Sequence, residues 1–133
     1  MNEDCTQKLG QLRAEVATAT SAEEALAFET LETSREFWDG EWTYEEQDAI
    51  RDDFRANWNR IAARIAEKWG EPAYQGQTER SPFPGVPAGH EIAYWLRDDC
   101  LLGVFWDHQD KELPYTLELI ACGPVALQRF GVL

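Results

Sequence analysis

The sequence predicts an α+β fold in which three N-terminal helices pack on one face of a C-terminal antiparallel β-meander of three to four strands. Apolar residues recur at helical spacing in the first half, and apolar and polar residues alternate in the last third. A Pro/Gly-rich stretch separates the two parts. We therefore expect one domain, residues 1–133, with a helical part (1–70), a loop (71–89) and a β-meander with a C-terminal tail (90–133).

Two helices are predicted before residue 40. The first has an apolar stripe at spacings of four, three and four residues, formed by Cys5, Leu9, Leu12 and Val16. The second follows a capping box, in which Ser21 and Glu24 lie three residues apart. It is expected to run to about Trp38 and to end at Gly40. Its apolar positions are Ala25, Phe28 and Leu31.

The third predicted helix is the longest element of the chain. Thr43 and Glu46 form a second capping box, and Gly70 followed by Pro72 ends the helix. Between them, apolar residues repeat at intervals close to 3.6 residues: Ile50, Phe54, Trp58, Ile61, Ile65 and Trp69. Because this stripe is continuous, we expect the helix to pack along its whole length.

The last third of the chain predicts the β-meander. A tight turn at Asp98-Asp99 is expected to join a first alternating strand to a central strand that is apolar on both faces. Within the preceding loop, Ala73 to Gln75 could pair as a short strand. The segments expected as strands of the meander are 92–96, 101–106 and 115–119, and the apolar tail 125–133 is expected to dock on the core.

The charge of the chain restricts its partners. Twenty-five acidic and 12 basic residues give a net charge of -13, and the pI is near 4.4. This charge argues against direct binding of nucleic acid or of a membrane surface, because both need basic side chains to neutralise phosphates. The N-terminal residues lack the pattern of a signal peptide, and no apolar run approaches the length of a membrane span. We therefore expect a cytoplasmic protein.

The cysteines predict neither a disulfide framework nor a metal centre. Cys5, Cys100 and Cys122 are odd in number and show no CxxC spacing. If the last two strands form a hairpin centred near Lys111, Cys100 and Cys122 lie almost opposite each other. We expect the thiols to be reduced, as is usual in the cytoplasm, and we expect no cofactor.

Acidic residues concentrate in the segment from Glu23 to Asp53, where 12 acids and two arginines give a net charge of -10 in 31 residues. Three interpretations remain open: a solvated helix face, a docking surface for a basic protein, and mimicry of a nucleic acid. Helical residues rise 1.5 Å each, so the acids would be spaced about 4 Å apart, against about 1.7 Å per charge in duplex DNA. Mimicry is therefore the weakest of the three.

Four aromatic residues lie within this acidic segment: Phe37, Trp38, Trp42 and Tyr44. Rigid aromatics bordered by charge are typical of interface hot spots, and they are also suited to filling the corner between helices and a sheet. We expect Trp42 to be partly exposed, because its usual local partner position holds the polar Gln47. The predicted partner-binding residues are Trp38, Asp39, Glu41, Trp42, Tyr44, Glu45, Glu46 and Asp48.

One cluster could support metal or acid–base chemistry, and it comprises His90, Asp107, His108, Asp110 and Glu112. A tight turn between the strands would place His108 across from His90, so that His90, His108 and Asp110 are the candidate metal ligands. Histidines and aspartates also gather in exposed turns, which is the alternative. No nucleophile elbow, phosphate-binding loop or zinc-protease motif is present, and we predict no catalytic residue.

In size, acidity and its helix-then-meander layout, the chain resembles small bacterial immunity proteins that neutralise toxic effectors. The resemblance covers the whole chain but includes no residue motif, so it assigns no site residues. It implies a non-catalytic inhibitor that docks its acidic surface on a basic partner protein such as a toxin. Two alternatives remain: a small metal-dependent or acid–base enzyme that uses His90 and His108, and an acidic protein similar to type III secretion chaperones.

Overall fold

The computed structural model describes residues 4–82 and 89–129. The strands in these ranges are β1 (Leu26–Thr33), β2 (Tyr74–Gln77), β3 (Glu91–Arg97), β4 (Cys100–Asp107) and β5 (Thr116–Cys122). They form one antiparallel sheet in the order β1-β5-β4-β3-β2. The helices are α1 (Cys5–Val16), α2 (Tyr44–Trp69) and α3 (Pro124–Arg129), with a short 3-10 turn at Thr78–Arg80. The predicted α+β class is confirmed.

The second predicted helix is wrong, because that segment forms strand β1. This strand pairs with β5 over its whole length, with a register shift between Thr30 and Glu32. The capping hydrogen bond expected at Ser21 does form, since its Oγ accepts from the Glu24 amide at 3.2 Å, but a turn follows instead of a helix. Two helices rather than three therefore precede the meander, and the described sheet has five strands rather than three to four.

Helix α2 confirms the prediction made from its apolar stripe. Thr43 caps its N-terminus by accepting a hydrogen bond from the Glu46 amide at 3.1 Å, and Gly70 ends it with a φ of +83°. The indole of Trp58 donates to the carbonyl of Val104 at 2.9 Å, which fixes α2 to the central strand β4. The buried apolar residues of the helix are Phe54, Trp58, Ile61, Ala62 and Ile65.

The tight turn at Asp98-Asp99 is also confirmed. Both residues have positive φ, 51° and 64°, as a two-residue hairpin turn requires. The turn pairs Arg97 with Cys100 and so determines the register between β3 and β4. As predicted, β4 lies at the centre of the sheet and is buried on both faces.

The two faces of the sheet are covered differently. Helices α1 and α2 pack on one face, where the sheet presents alternate residues such as Trp95, Leu102 and Leu119. Helix α3 packs on the other face through Ala126 and Leu127. The apolar tail thus docks on the core as far as the structure describes it, and residues 130–133 lie outside the described residues.

The register of β4 and β5 corrects the expected position of two cysteines. Cys122 pairs with Leu101, one residue beyond Cys100, so the two thiols point to opposite faces of the sheet. None of Cys5, Cys100 and Cys122 forms a disulfide. Burial raises the pKa of Cys122 to about 12 and also raises that of Cys100, so both buried thiols are protonated at neutral pH.

The predicted loop at 71–89 contains more structure than expected. Strand β2 covers residues 74–77, one residue later than the strand anticipated there, and it extends the sheet beside β3. Residues 83–88 of this loop lie outside the described residues. Among the described helices, none is both long enough and apolar enough to cross a membrane.

Candidate functional site

The connection between β1 and α2 is held against the end of the sheet by Phe37. Its side chain is fully buried, and its amide donates to the carbonyl of Glu112 at 3.0 Å. Nearby, the Ser34 amide donates to the carbonyl of Tyr115 at 2.9 Å, and the Tyr115 amide returns a bond to Ser34 Oγ at 2.8 Å. These bonds fix the connection to the chain that enters β5.

The four aromatic residues of this region differ in exposure: Phe37 and Trp42 form an inner pair, and the exposed Trp38 and Tyr44 are the outer pair. Trp42 is partly buried and packs edge-to-face on Phe37, with ring centroids 6.1 Å apart. Tyr44 packs edge-to-face on Trp42 at 5.3 Å but is 75% exposed, and Trp38 is 70% exposed. Gln47, the polar residue beside Trp42, is buried and donates through Nε2 to the carbonyl of Lys111 at 2.8 Å.

The same segment of the chain carries six exposed acids: Glu36, Asp39, Glu41, Glu45, Glu46 and Asp48. Arg35 compensates part of this charge, because its guanidinium lies 3.1 Å from Asp39 and 3.7 Å from Glu46. The Trp38 indole donates to the carboxylate of Glu36. We call Trp38, Trp42, Tyr44 and these six acids the aromatic–acidic surface; it includes all eight of the predicted partner-binding residues.

The longer acidic segment does not form one helix face. Its acids are distributed over the turn before β1, β1 itself, the connection and the first turns of α2. Glu29 of β1, for example, pairs with Lys8 of α1 at 2.8 Å, and Glu32 accepts from Asn57 of α2 at 3.1 Å. The charge spacing calculated for a continuous helix therefore does not apply to this segment.

A second feature is a cavity of about 550 Å³, which we call the histidine cavity. Helix α2 contributes Arg51 and Arg55, β3 contributes its first residue Glu91, and His90 immediately precedes that strand. His108, which follows β4, also lines the cavity. The structure thus brings His90 and His108 to the same edge of the sheet, on the face that carries α2.

The hydrogen bonds of the two imidazoles define their tautomers. His90 Nε2 lies 2.9 Å from the carbonyl of His108, and His108 Nε2 lies 2.9 Å from the carbonyl of Leu113. Because a carbonyl only accepts, both Nε2 atoms donate and each neutral ring keeps its lone pair on Nδ1. Burial lowers the pKa of His108, which favours the neutral ring at physiological pH.

The described residues provide no set of ligands for the hypothetical metal site. Within residues 4–82 and 89–129, no group of three or more His, Cys, Asp or Glu side chains is arranged to hold a metal ion. Asp107 lies 3.9 Å from His90 Nε2, which is too far for a hydrogen bond. Asp110 instead accepts from the Glu112 amide at 3.3 Å within the turn before β5.

Sequence reasoning missed the ion pair at the back of the cavity. Glu91 is 9% exposed, and its carboxylate accepts from the Trp106 indole at 3.1 Å and from Arg55 Nε at 2.7 Å. The signal was present, since Glu91 has the same strand parity as the core residues Ala93 and Trp95. A carboxylate at that parity needs a buried partner.

The aromatic rings of the cavity continue to the aromatic–acidic surface. His90 lies 5.1 Å from Trp106, Trp106 stacks on Tyr115 at 6.2 Å, and Tyr115 stacks on His108 at 3.9 Å. Phe37 contacts both His108 and Tyr115 at about 6 Å. One row of rings therefore links the two features through the buried Phe37.

Comparison of the chain with protein-family models, with curated proteins and with solved structures found no match.

Proposed function

We propose that this chain is a non-catalytic binding protein of the cytoplasm, of the immunity or antitoxin type, which docks its aromatic–acidic surface on a basic partner protein such as a toxin. One observation carries the proposal. Trp38 and Tyr44 are 70% and 75% exposed in a segment with six acids, and Tyr44 packs on the partly buried Trp42, which in turn packs on the buried Phe37.

Exposed tryptophan and tyrosine side chains on a rigid base have the properties of interface hot spots. Such rings bury a large area on binding and lose little conformational entropy, because few torsions are left to immobilise. Folding alone gives no reason to expose both rings, since burial would stabilise the chain. The proposal assigns Trp38 and Tyr44 as the anchors and Trp42 as the support of Tyr44.

The charge around these rings favours a basic partner. Residues 36–48 contain six acids and neither lysine nor arginine. A complementary positive surface would accelerate encounter and would discourage acidic competitors. Nucleases and other proteins that act on nucleic acid carry such positive surfaces, and an acidic inhibitor is physically suited to cover them.

A cross-linking experiment tests this proposal. A photo-reactive residue placed at position 41, which is exposed and is not one of the aromatic anchors, should capture a basic protein from cells of the source organism, and the purified partner should bind the chain directly. The reversal variant E45K/E46K/D48K should weaken that binding at least tenfold. The control variant E15K/E67K/E71K makes the same change in net charge at exposed positions elsewhere and should bind normally. Equal binding by the two variants would contradict the proposal.

A second candidate function is an acid–base enzyme, because His90 and His108 line one cavity. Both Nε2 atoms, however, are engaged by main-chain carbonyls at 2.9 Å. Substitution of the exposed His90 distinguishes the binding protein from the acid–base enzyme. H90Q should leave partner binding within about twofold of wild type, and a larger loss would favour a function centred on the cavity.

A further inference from the structure

The histidine cavity has the size of a small-molecule site and a polar lining on one side. Its volume of about 550 Å³ lies within the roughly 300–1,000 Å³ of typical ligand pockets. It lies on the face of the sheet that carries α2, between this helix and the ends of β3 and β4. Asp48 of the aromatic–acidic surface contacts Arg51 of the cavity lining, but the function proposed for that surface is not a premise for the cavity.

Two guanidinium groups form the positive side of the cavity. Arg51 and Arg55 are four residues apart on α2, so both lie on the same face of the helix. Arg55 binds Glu91 through Nε at 2.7 Å and through Nη2 at 3.4 Å, which compensates the buried carboxylate. Because a guanidinium has five N–H donors, Arg55 retains donors for a further acceptor.

The other charges near this pair are screened by solvent. Arg51 contacts Asp48 at 3.3 Å and Asp52 at 3.2 Å, and both carboxylates are at least 60% exposed. Glu79, the second carboxylate of the lining, is exposed as well. Exposed ion pairs of this kind contribute little to stability, so an incoming anion can replace them at Arg51.

A column of stacked aromatic rings lines another part of the cavity. Tyr115 and His108 stack face to face, with ring centroids 3.9 Å apart and planes inclined by 14°, and Trp106 and Tyr115 stack at 6.2 Å and 27°. Because stacked rings cover one another's faces and Trp106 and Tyr115 are almost fully buried, the column offers ring edges rather than ring faces to a ligand. Ring edges accept the face of a planar ring in an edge-to-face arrangement.

We propose that the histidine cavity binds a small planar aromatic carboxylate. Its carboxylate pairs with Arg51 and Arg55, for which the planar guanidinium is the preferred partner. The face of its ring packs on the edges of the stacked rings of Trp106, Tyr115 and His108. A neutral ring lacks the first interaction and a simple inorganic anion lacks the second, so neither alone satisfies the site.

NMR of the two histidine side chains tests this proposal directly, because the protein has only two histidines and both line the cavity. The probe is 2-naphthoate, with 2-naphthamide and inorganic phosphate as comparison ligands. We expect 2-naphthoate to shift both imidazole signals in a saturable manner. We expect 2-naphthamide and phosphate to bind at least tenfold more weakly.

Two variants test the arginine pair. R51Q changes an exposed position, and R55Q/E91Q removes the exposed arginine together with the buried carboxylate that it binds, so that no buried charge is left unpaired. Each should weaken 2-naphthoate binding at least tenfold. R60Q, an exposed arginine of the same helix outside the cavity lining, is the matched control and should bind normally.

Three results would overturn the proposal. Imidazole signals that do not respond to 2-naphthoate would remove the site. Equal affinity for 2-naphthamide and 2-naphthoate would show that the arginine pair does not determine binding. Equal affinity for phosphate would show that the aromatic rings do not contribute to it. If the aromatic–acidic surface proves to bind no partner, none of these three measurements changes. Each of the two proposals can therefore fail without the other.

Discussion

At the scale of single residues, the backbone of Gly89 positions the neighbouring His90, which lines the histidine cavity. Its φ is +72°, and a Cβ at this position would lie 2.5 Å from both Phe105 Cδ2 and the Trp106 carbonyl oxygen. The next residue, His90, donates from its amide to that same carbonyl at 2.9 Å. Any side chain at position 89 must therefore disturb the start of β3.

G89A should lower the free energy of unfolding by at least about 2 kcal/mol, because it combines backbone strain with a clash against main chain. Urea unfolding provides the measurement. Gly10 offers a matched control, since it lies in α1 with no atom within 4 Å of the added Cβ. G10A should stabilise the protein by about 0.5–1 kcal/mol. Equal effects of both substitutions would show that position 89 tolerates a side chain.

The exposed Trp38 and the partly buried Trp42 should respond differently to substitution. W38A should change the free energy of unfolding by less than about 1 kcal/mol and weaken partner binding by about 2 kcal/mol or more. W42A should lower stability by about 1–3 kcal/mol, because the ring packs on Phe37. Chemical denaturation and binding to the captured partner measure the two effects. A W38A protein that binds normally would remove the central anchor.

At the scale of elements, the position of α2 depends on its apolar stripe. Ile61 lies at the middle of the helix and is 5% exposed within the main core. I61A should lower the free energy of unfolding by about 2–5 kcal/mol, because the cavity left behind adds to the lost burial. R60A, at the adjacent exposed position, should stay within about 0.5 kcal/mol of wild type in the same denaturation experiment. A cost below about 1 kcal/mol for I61A would contradict the observed packing.

The elements that could be predicted are those specified by local signals. Helix α2 has two caps and an uninterrupted stripe, and the Asp98-Asp99 turn determines its own hairpin. Strand β1 could not be predicted in the same way, because its partner β5 lies some 90 residues further along the chain. Its capping signal at Ser21 is satisfied by a turn, so the local pattern did not distinguish the two structures.

The same distinction explains what could be foreseen of the site. His90 and His108 were expected near one edge because a short turn joins their strands, and the structure places both in one cavity. Arg51 and Arg55 were not associated with that edge. Their position beside the two histidines depends on how α2 crosses the sheet. That crossing is fixed by tertiary contacts such as the hydrogen bond from Trp58 to Val104, and no local motif specifies it.

At the scale of the whole molecule, the charge distribution determines how a partner approaches. The net charge is -13, and the six acids of the aromatic–acidic surface lie within 13 consecutive residues. Most of their side chains are exposed, so their field extends into solvent and is subject to screening by salt. The ligand proposed for the histidine cavity carries the opposite charge to such a partner, because its carboxylate pairs with Arg51 and Arg55 of the lining.

The association rate with a basic partner should therefore fall as ionic strength rises. The Debye length shortens from roughly 10 Å at 0.1 M salt to about 3 Å at 1 M, which removes long-range attraction but leaves contacts between buried rings. Stopped-flow or surface-binding kinetics should show a slower association and a smaller change in dissociation. E45K/E46K/D48K should associate slowly at every salt concentration. Because it also opposes the α2 macrodipole, its folding must first be verified by circular dichroism. An association rate that is constant between these salt concentrations would exclude the aromatic–acidic surface from the encounter.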